Sequence, residues 1–444
     1  MILRNISKII FPALLAMGFA ACDIETIEDP NNPSIGAITA NASLSEIQNL
    51  VTGIEGGMRL NLGQYFDGVG VIGREFYRFS TSDPRFTSDL LGKGSAVLDN
   101  NTFYTTNPYS SRYRTVKNCN ILLEAVDNST AIASNILRDA AKGFANTIKA
   151  HQLLLIWVQQ YDNGLRMDVA DPANLGPFVG SGNPGEALRA IAQLLDAGYA
   201  QLNVGGIEFP FSLSSGFAGF DTPSDFAKLN RAIQARVHVY NQDWNNALAA
   251  LANSFFDING SISTGAYHPY STSGGDQLNP QWFPMNASGE TRVAHASYVA
   301  DADAGDSRLS KVSARASTEF QDGLQSDFDF SVYASNAASI PIIRNEELIL
   351  IFAEAKIQIG DPIALADATV ALDIIRQKAG LGQYSGPATQ ADLINEMLKQ
   401  RRYSLYGEGH RWVDMRRYGR LNTLPIDRVD DNVWERFPRP ANED

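Results

Sequence analysis

Apolar residues recur at three- and four-residue spacing through most of the chain, the mark of amphipathic helices rather than strands. The pattern predicts helices over residues 43–61, 113–126, 135–161, 183–202, 222–240, 245–256, 342–359, 363–379 and 389–418. Several carry their own start signals. Ser43-Leu44-Ser45-Glu46 is a capping box, in which the Ser and Glu side chains satisfy each other's backbone N–H groups. Pro184 suits a first helical turn, and Thr222-Pro223-Ser224-Asp225 joins a cap, a first-turn proline and an acid at the positive helix end. Two stretches read as helix–turn–helix units: 229–251 across Asp243-Trp244, and 353–375 across Gly360-Asp361. In such units each pair leaves an apolar face that its neighbour covers. The period fails over 62–112, 203–221, 257–327 and 424–444, which are rich in Gly, Ser, Asn and aromatic residues. Insertions this long on a helical scaffold usually form the working surface. A short strand is expected around 292–299. The fold class read from this pattern is mainly α with minor β.

The first 21 residues stand apart. Arg4 and Lys8 precede an apolar run over 9–21 that is too short to span a bilayer, as in a secretory signal. The run ends Phe19-Ala20-Ala21-Cys22, which resembles a bacterial lipobox with Phe in place of the usual Leu. Cys22 would then be lipidated and tether the protein to a membrane; the alternative is simple cleavage after Ala21. Acids and prolines over 22–42 read as an extended tether, leaving 43–444 as a single domain. The only other cysteine, Cys119, has no disulfide partner once Cys22 is acylated, and reads as a small core residue.

A chain of 444 residues with 44% hydrophobic content can bury a full core. A net charge of −13 excludes a general nucleic-acid binder, which needs basic patches to neutralise phosphates. Near the C-terminus, 401–419 concentrates arginines, acids, a histidine and aromatics as RRYSLYGEGHRWVDMRRYG. On a continuous helix, Leu405, Glu408, Trp412 and Met415 share one face, with His410–Asp414 and Arg411–Asp414 at pairing distance. Glu408, Arg411, Trp412 and Asp414 are therefore expected to act structurally, as a clamp of committed charges. A catalytic role would require the group to face a cleft.

This segment, with Glu346–Ala355, Gly360-Asp361, Ala371–Arg376, Ala379-Gly380-Leu381, the 113–123 helix and the tail Phe437-Pro438-Arg439-Pro440 followed by Glu443, resembles the SusD/RagB family of nutrient-binding lipoproteins. Gly407 departs from the aromatic usual in that family. The resemblance implies a SusD-like α-helical fold on tetratricopeptide-like hairpins. It implies a lipid-anchored protein on the outer-membrane surface that captures a glycan, or in some members a peptide, and delivers it to a SusC-like TonB-dependent transporter. It implies no catalysis and no cofactor.

Ligand contacts are expected in the aromatic insertions, about 62–112 and 257–327, because sugar rings stack their C–H faces on aromatic rings while polar groups bond the hydroxyls. Arg74, Tyr77, Arg85 and Tyr104 are the first candidates, followed by Tyr267, Trp282 and Tyr298; Asp83-Pro84-Arg85 is a rigid turn able to aim a side chain. His151, His238, His268 and His295 are scattered without a zinc-binding spacing. Asp301-Ala302-Asp303-Ala304-Gly305-Asp306 hints at calcium but has glycine one place early and Val312 where the bidentate acid belongs, so no metal is expected. Neither a phosphate loop nor a Gly-x-Ser-x-Gly elbow is present. The competing classes are a glycosidase with paired carboxylates and a purely structural tetratricopeptide-like scaffold.

Overall fold

The computed structural model describes residues 35–171 and 173–443. The leader, Cys22 and the first part of the tether lie outside them. Residues 35–41, expected as tether, form α1 (Ile35–Asn41). This helix is held to the domain because Asn128 Nδ2 donates to Thr39 O at 2.9 Å and Asn41 Oδ1 accepts from Thr130 N at 2.9 Å.

The helical scaffold continues with α2 (Leu44–Arg59), α3 (Leu62–Ile72), α4 (Phe103–Asn128), α5 (Asn135–Gln160), α6 (Pro184–Val204), α7 (Pro223–Tyr240) and α8 (Trp244–Ala252). After the short α9 (Ala296–Ala300) it resumes as α10 (Asn345–Ile359), α11 (Pro362–Lys378), α12 (Gln390–Ser404) and α13 (Arg411–Arg417). From α4 to α8 each helix packs on the next; α8 meets α10, which packs on α11 and α12. This is the stacked-hairpin arrangement the periodicity predicts. The capping box forms, with Ser43 N donating to Glu46 Oε2 at 2.8 Å and Ser43 Oγ accepting from Glu46 N at 3.3 Å.

The 62–112 stretch is more ordered than its pattern implies. α3 is buried along nearly its whole length, so it lacks the polar face that makes a helix legible. Its glycines further blur the pattern, yet they serve close packing: a Cβ at Gly70 would lie 2.5 Å from the Phe76 ring. The irregular insertions also supply the strands. β1 (Phe76–Ser80), β5 (Glu290–Ala294), β7 (Leu324–Phe330) and β6 (Val312–Gln321) form an antiparallel sheet in that order. The β1–β5 register sets Arg78 opposite Arg292 and Ser80 opposite Glu290. Two ribbons complete the strands, β2 (Leu165–Arg166) with β3 (Phe178–Val179) and β4 (Gly265–His268) with β8 (Ile340–Arg344).

The expected helix over 389–418 is broken between α12 and α13. Gly407 and Gly409 take φ of 77° and 81°, conformations that favour glycine. The break lets Gly407 N donate to Glu75 Oε1 at 3.1 Å, and a Cβ at Gly407 would lie 2.6 Å from the Phe330 ring. Leu405, Glu408, Trp412 and Met415 therefore do not share one helical face. The charges of this segment pair across elements instead. Asp414 accepts from Arg401 at 2.6 Å and Arg417 at 2.7 Å, and Arg417 also reaches Glu354 at 2.7 Å. Glu408 pairs with Arg344 at 2.6 Å, and Arg344 also pairs with Glu346. Arg411 donates to Gly73 O at 2.9 Å rather than to Asp414, and Trp412 Nε1 donates to Trp434 O at 2.7 Å. His410 lies 3.1 Å from Tyr240 Oη, and burial lowers its pKa to about 3, so its ring is neutral at physiological pH. Asp414 is opposed by burial, but the two arginines outweigh it and hold the carboxyl below its ordinary range.

Candidate functional site

Of the seven candidate ligand contacts, the structure buries four. Arg74 is 1% exposed and spends its guanidinium on backbone oxygens of Pro425 at 3.0 Å, Ile72 at 3.1 Å and Asn432 at 2.7 Å. Tyr77 is buried against Phe79 and His295, with ring centroids 5.6 and 5.2 Å away. Tyr104 is buried with its hydroxyl donating to Asp89 at 2.7 Å, and buried Tyr298 donates to Arg308 O at 3.1 Å. These rings pack the insertions onto the scaffold and offer no face to a ligand. Tyr267 is half-buried beside a small cavity of about 100 Å³ and donates its hydroxyl to Ser263 O.

Arg85 and Trp282 remain at the surface, on segments that the fold brings side by side. Asp83 caps the 84–86 turn, accepting from Arg85 N at 3.0 Å. The same carboxylate takes Arg85 Nε at 2.9 Å and Nη2 at 2.7 Å, while Nη1 donates to Thr102 Oγ1 at 2.6 Å. A guanidinium has five N–H donors; three are used here, leaving two. The hydrogen bond from Arg85 pulls the Asp83 carboxyl below its ordinary range. The Arg85 guanidinium also lies 5.0 Å from the centroid of half-buried Phe103.

From Phe103 the contacts run on without a gap. Phe103 meets Phe86 edge-on at 5.0 Å, Phe86 lies 5.1 Å from the Arg78 guanidinium, and Arg78 lies 4.8 Å from the ring of Phe283. Arg292 approaches Phe283 at 5.0 Å. The result is a ledge of aromatic rings and guanidinium groups joining residues 78–103 to 282–292. Cation–π contacts contribute roughly 0.5–1 kcal/mol each at exposed sites, as for Arg85, and about 2 kcal/mol where desolvated. The segment carrying Trp282 and Phe283 is anchored from below: Arg292 donates to Pro280 O at 2.7 Å and Gln281 Nε2 to Gly407 O at 3.2 Å. Trp282 is half-buried, and its indole N–H has no hydrogen-bond partner among the described residues.

Every arginine of the ledge has its own acid. Besides Arg85–Asp83, Arg78 pairs with Glu290 at 2.7 Å and Arg292 takes Asp67 through two bonds of 2.6 and 2.8 Å. Burial tends to raise the Glu290 carboxyl, but bonds from Ser80, Arg78 and Ser82 outweigh it and bring it to about 2. Asp83 and Glu290 are thus both held ionised, the wrong state for a general acid at neutral pH. Glu75, raised to about 7 by burial, is only 2% exposed and lies out of a ligand's reach. The acids of the 301–306 stretch are likewise committed: Asp301 to Arg402 at 2.7 Å, Asp303 to Lys399 at 2.5 Å and Asp306 to Arg308 at 2.7 Å. Among the described residues no cluster of three or more His, Cys, Asp or Glu side chains is placed to hold a metal ion.

Sequence reasoning reached Arg85 and Trp282 but passed over Arg78, Phe103 and Phe283. Arg78 carries a local signal, as the one charged position within the apolar strand Phe76–Ser80. Phe103 and Phe283 carry none, because their exposure depends on how remote segments cover their neighbours.

Residues 127–440 match the SusD family. No curated protein matches the chain significantly in sequence. Among solved structures, a SusD superfamily protein from Bacteroides vulgatus shares 17% identity, aligns over 90% of this chain and 96% of its own, and has a TM-score of 0.65. Surface glycan-binding protein A from Bacteroides thetaiotaomicron, solved with laminarihexaose, shares 14% identity over 90% and 97% of the two chains at a TM-score of 0.68. Surface glycan-binding protein A from Bacteroides uniformis shares 17% over 84% and 88% at 0.61.

Proposed function

The chain belongs to the SusD family, and from that premise we propose that it is a surface lipoprotein that binds a neutral glycan and hands it to a TonB-dependent outer-membrane transporter. The observation that carries this reading is the ledge. It offers half-buried aromatic faces at Phe103, Trp282 and Phe283, which suit the apolar faces of sugar rings. Beside them stand two open N–H groups on a guanidinium already fixed by Asp83 and Thr102, so little entropy is lost on binding a hydroxyl. The matched acid for each arginine favours an uncharged, hydroxyl-rich ligand over an anion or a cation. The ionised carboxylates of the ledge support binding without turnover. Among the described residues no helix is long and apolar enough to cross a membrane; the lipobox at Cys22 supplies the proposed anchor.

Calorimetry of the whole chain against neutral oligosaccharides and peptides tests the reading. A glycan should bind, and Arg85→Ala or Trp282→Ala should weaken it about tenfold, the worth of a hydrogen bond or ring contact near 1.4 kcal/mol. Glycan binding unchanged in both variants would remove the ledge from the reading. Peptide binding alone would replace the ligand class, and hydrolysis of the glycan would make the protein an enzyme. A large β-barrel transporter encoded beside this gene is the expected companion.

A further inference from the structure

A cleft of about 590 Å³ opens between the 97–100 loop and the C-terminal segment 434–439. That volume is in the range of small-molecule sites. Part of the lining is apolar: Val97 is 63% exposed, and Leu98 and the Trp434 ring are half-buried. Trp434 is held in place by its Nε1, which donates to Asp89 O at 2.8 Å. Polar groups from the same two segments complete the lining. The side-chain amide of Asn100 makes no hydrogen bond among the described residues. Arg436 is balanced by Asp162 at 2.9 Å, and Arg439 lies 3.9 Å from the centroid of the Phe178 ring while donating to Asn163 O at 2.6 Å.

An aromatic ring, an amide, a guanidinium paired with an acid and a second guanidinium stacked on a ring repeat the chemistry of the ledge. The cleft and the ledge are joined through one loop. Asn100 lines the cleft, whereas Thr102 and Phe103, two and three residues on, hold and stack on Arg85. At roughly 3.6 Å per residue, the Cα atoms of Asn100 and Phe103 are at most about 11 Å apart. We propose that this cleft is a second saccharide subsite, taking neutral sugar units of the same chain whose other units lie on the ledge. The inference rests on the glycan-binding reading above, and it predicts a length requirement that the ledge alone would not impose.

The test is calorimetry with neutral gluco- and manno-oligosaccharides of increasing length, on the whole chain, its Val97→Glu/Asn100→Ala variant and its Arg85→Ala variant. Val97 is exposed and the Asn100 side chain is unbonded, so the double variant should fold as the parent does. The cleft variant should lose about tenfold in affinity for long oligomers and nothing for the shortest that binds, while Arg85→Ala weakens all lengths. Hydrogen exchange supplies a second readout: long oligomers should protect 97–100 and 434–439 along with 83–86. If the cleft variant binds every length as the parent does and protection stays on the ledge, the subsite is overturned and the ledge reading stands. If Arg85→Ala is silent and the cleft variant abolishes binding, the cleft stands and the ledge falls. If no oligosaccharide binds, both fall.

Discussion

Replacing Glu75 with Gln should stabilise the protein in a pH-dependent way. Glu75 is 2% exposed; its Oε1 accepts from Gly407 N at 3.1 Å, and its Oε2 has no hydrogen-bond partner. Burial raises its pKa from 4.5 to about 7, against the lowering effect of the Gly407 bond and the Arg411 charge. Between those two values the folded state holds a proton that the unfolded state has released. Stability contributed by this group is therefore complete below about pH 4.5 and declines as pH rises to 7. A shift of about 2.5 pKa units corresponds to a cost of roughly 3 kcal/mol at pH 8, and under about 1 kcal/mol at pH 5. Gln keeps the acceptor for Gly407 and removes the charge. Its new NH₂ group adds a penalty that does not vary with pH, so the informative quantity is the difference between the two pH values. Chemical denaturation of parent and variant should show Glu75→Gln gaining about 2–3 kcal/mol more at pH 8 than at pH 5. An equal effect at both pH values would refute the reasoning, because it would mean that Glu75 is ionised in the folded state throughout the range.

Glu408→Ala leaves Arg344 with one of its two acids and should cost about 2–4 kcal/mol in denaturant unfolding without altering which ligand binds; a changed ligand preference at unchanged stability would contradict the structural role. Gly407→Ala combines a left-handed φ with a contact on Phe330, and a loss of about 2–4 kcal/mol is expected in thermal or chemical unfolding; an unperturbed variant would mean that the α12–α13 break relaxes freely. Glu347 is held at about 2 because the Arg236 charge outweighs burial. The stability it contributes is complete above about pH 4.5 and is lost as pH falls toward 2. Arg236→Met, which strands that carboxylate, should therefore be less costly at pH 3 than at pH 7 in unfolding titrations; the opposite order would assign the acid sensitivity elsewhere.

Much of the scaffold was legible because its signals are local. The capping box at Ser43, the Thr222-Pro223 start and the helical periods over 135–161 and 363–379 each depend on residues within a few turns of one another. The motifs that resemble SusD proteins lie in such segments too. Where the period was masked, reading failed for a physical reason: α3 is apolar on nearly all sides and studded with glycines, so no polar face marks it as a helix. The 389–418 segment has helical periodicity to its end, but Gly407 and Gly409 break it so that the backbone can meet Glu75 and lie against Phe330 and Val69.

The ligand-binding face divides along the same line. Sequence alone placed aromatic residues and arginines in the two insertions and identified the Asp83-Pro84-Arg85 turn, whose capping geometry spans only three residues. It could not separate Tyr104 and Tyr298, which are buried, from Phe103 and Phe283, which border the surface. That distinction arises when β1 pairs with β5 and residues some two hundred positions apart are brought into contact. Exposure of a ring is set by what covers it, and the cover here comes from distant chain.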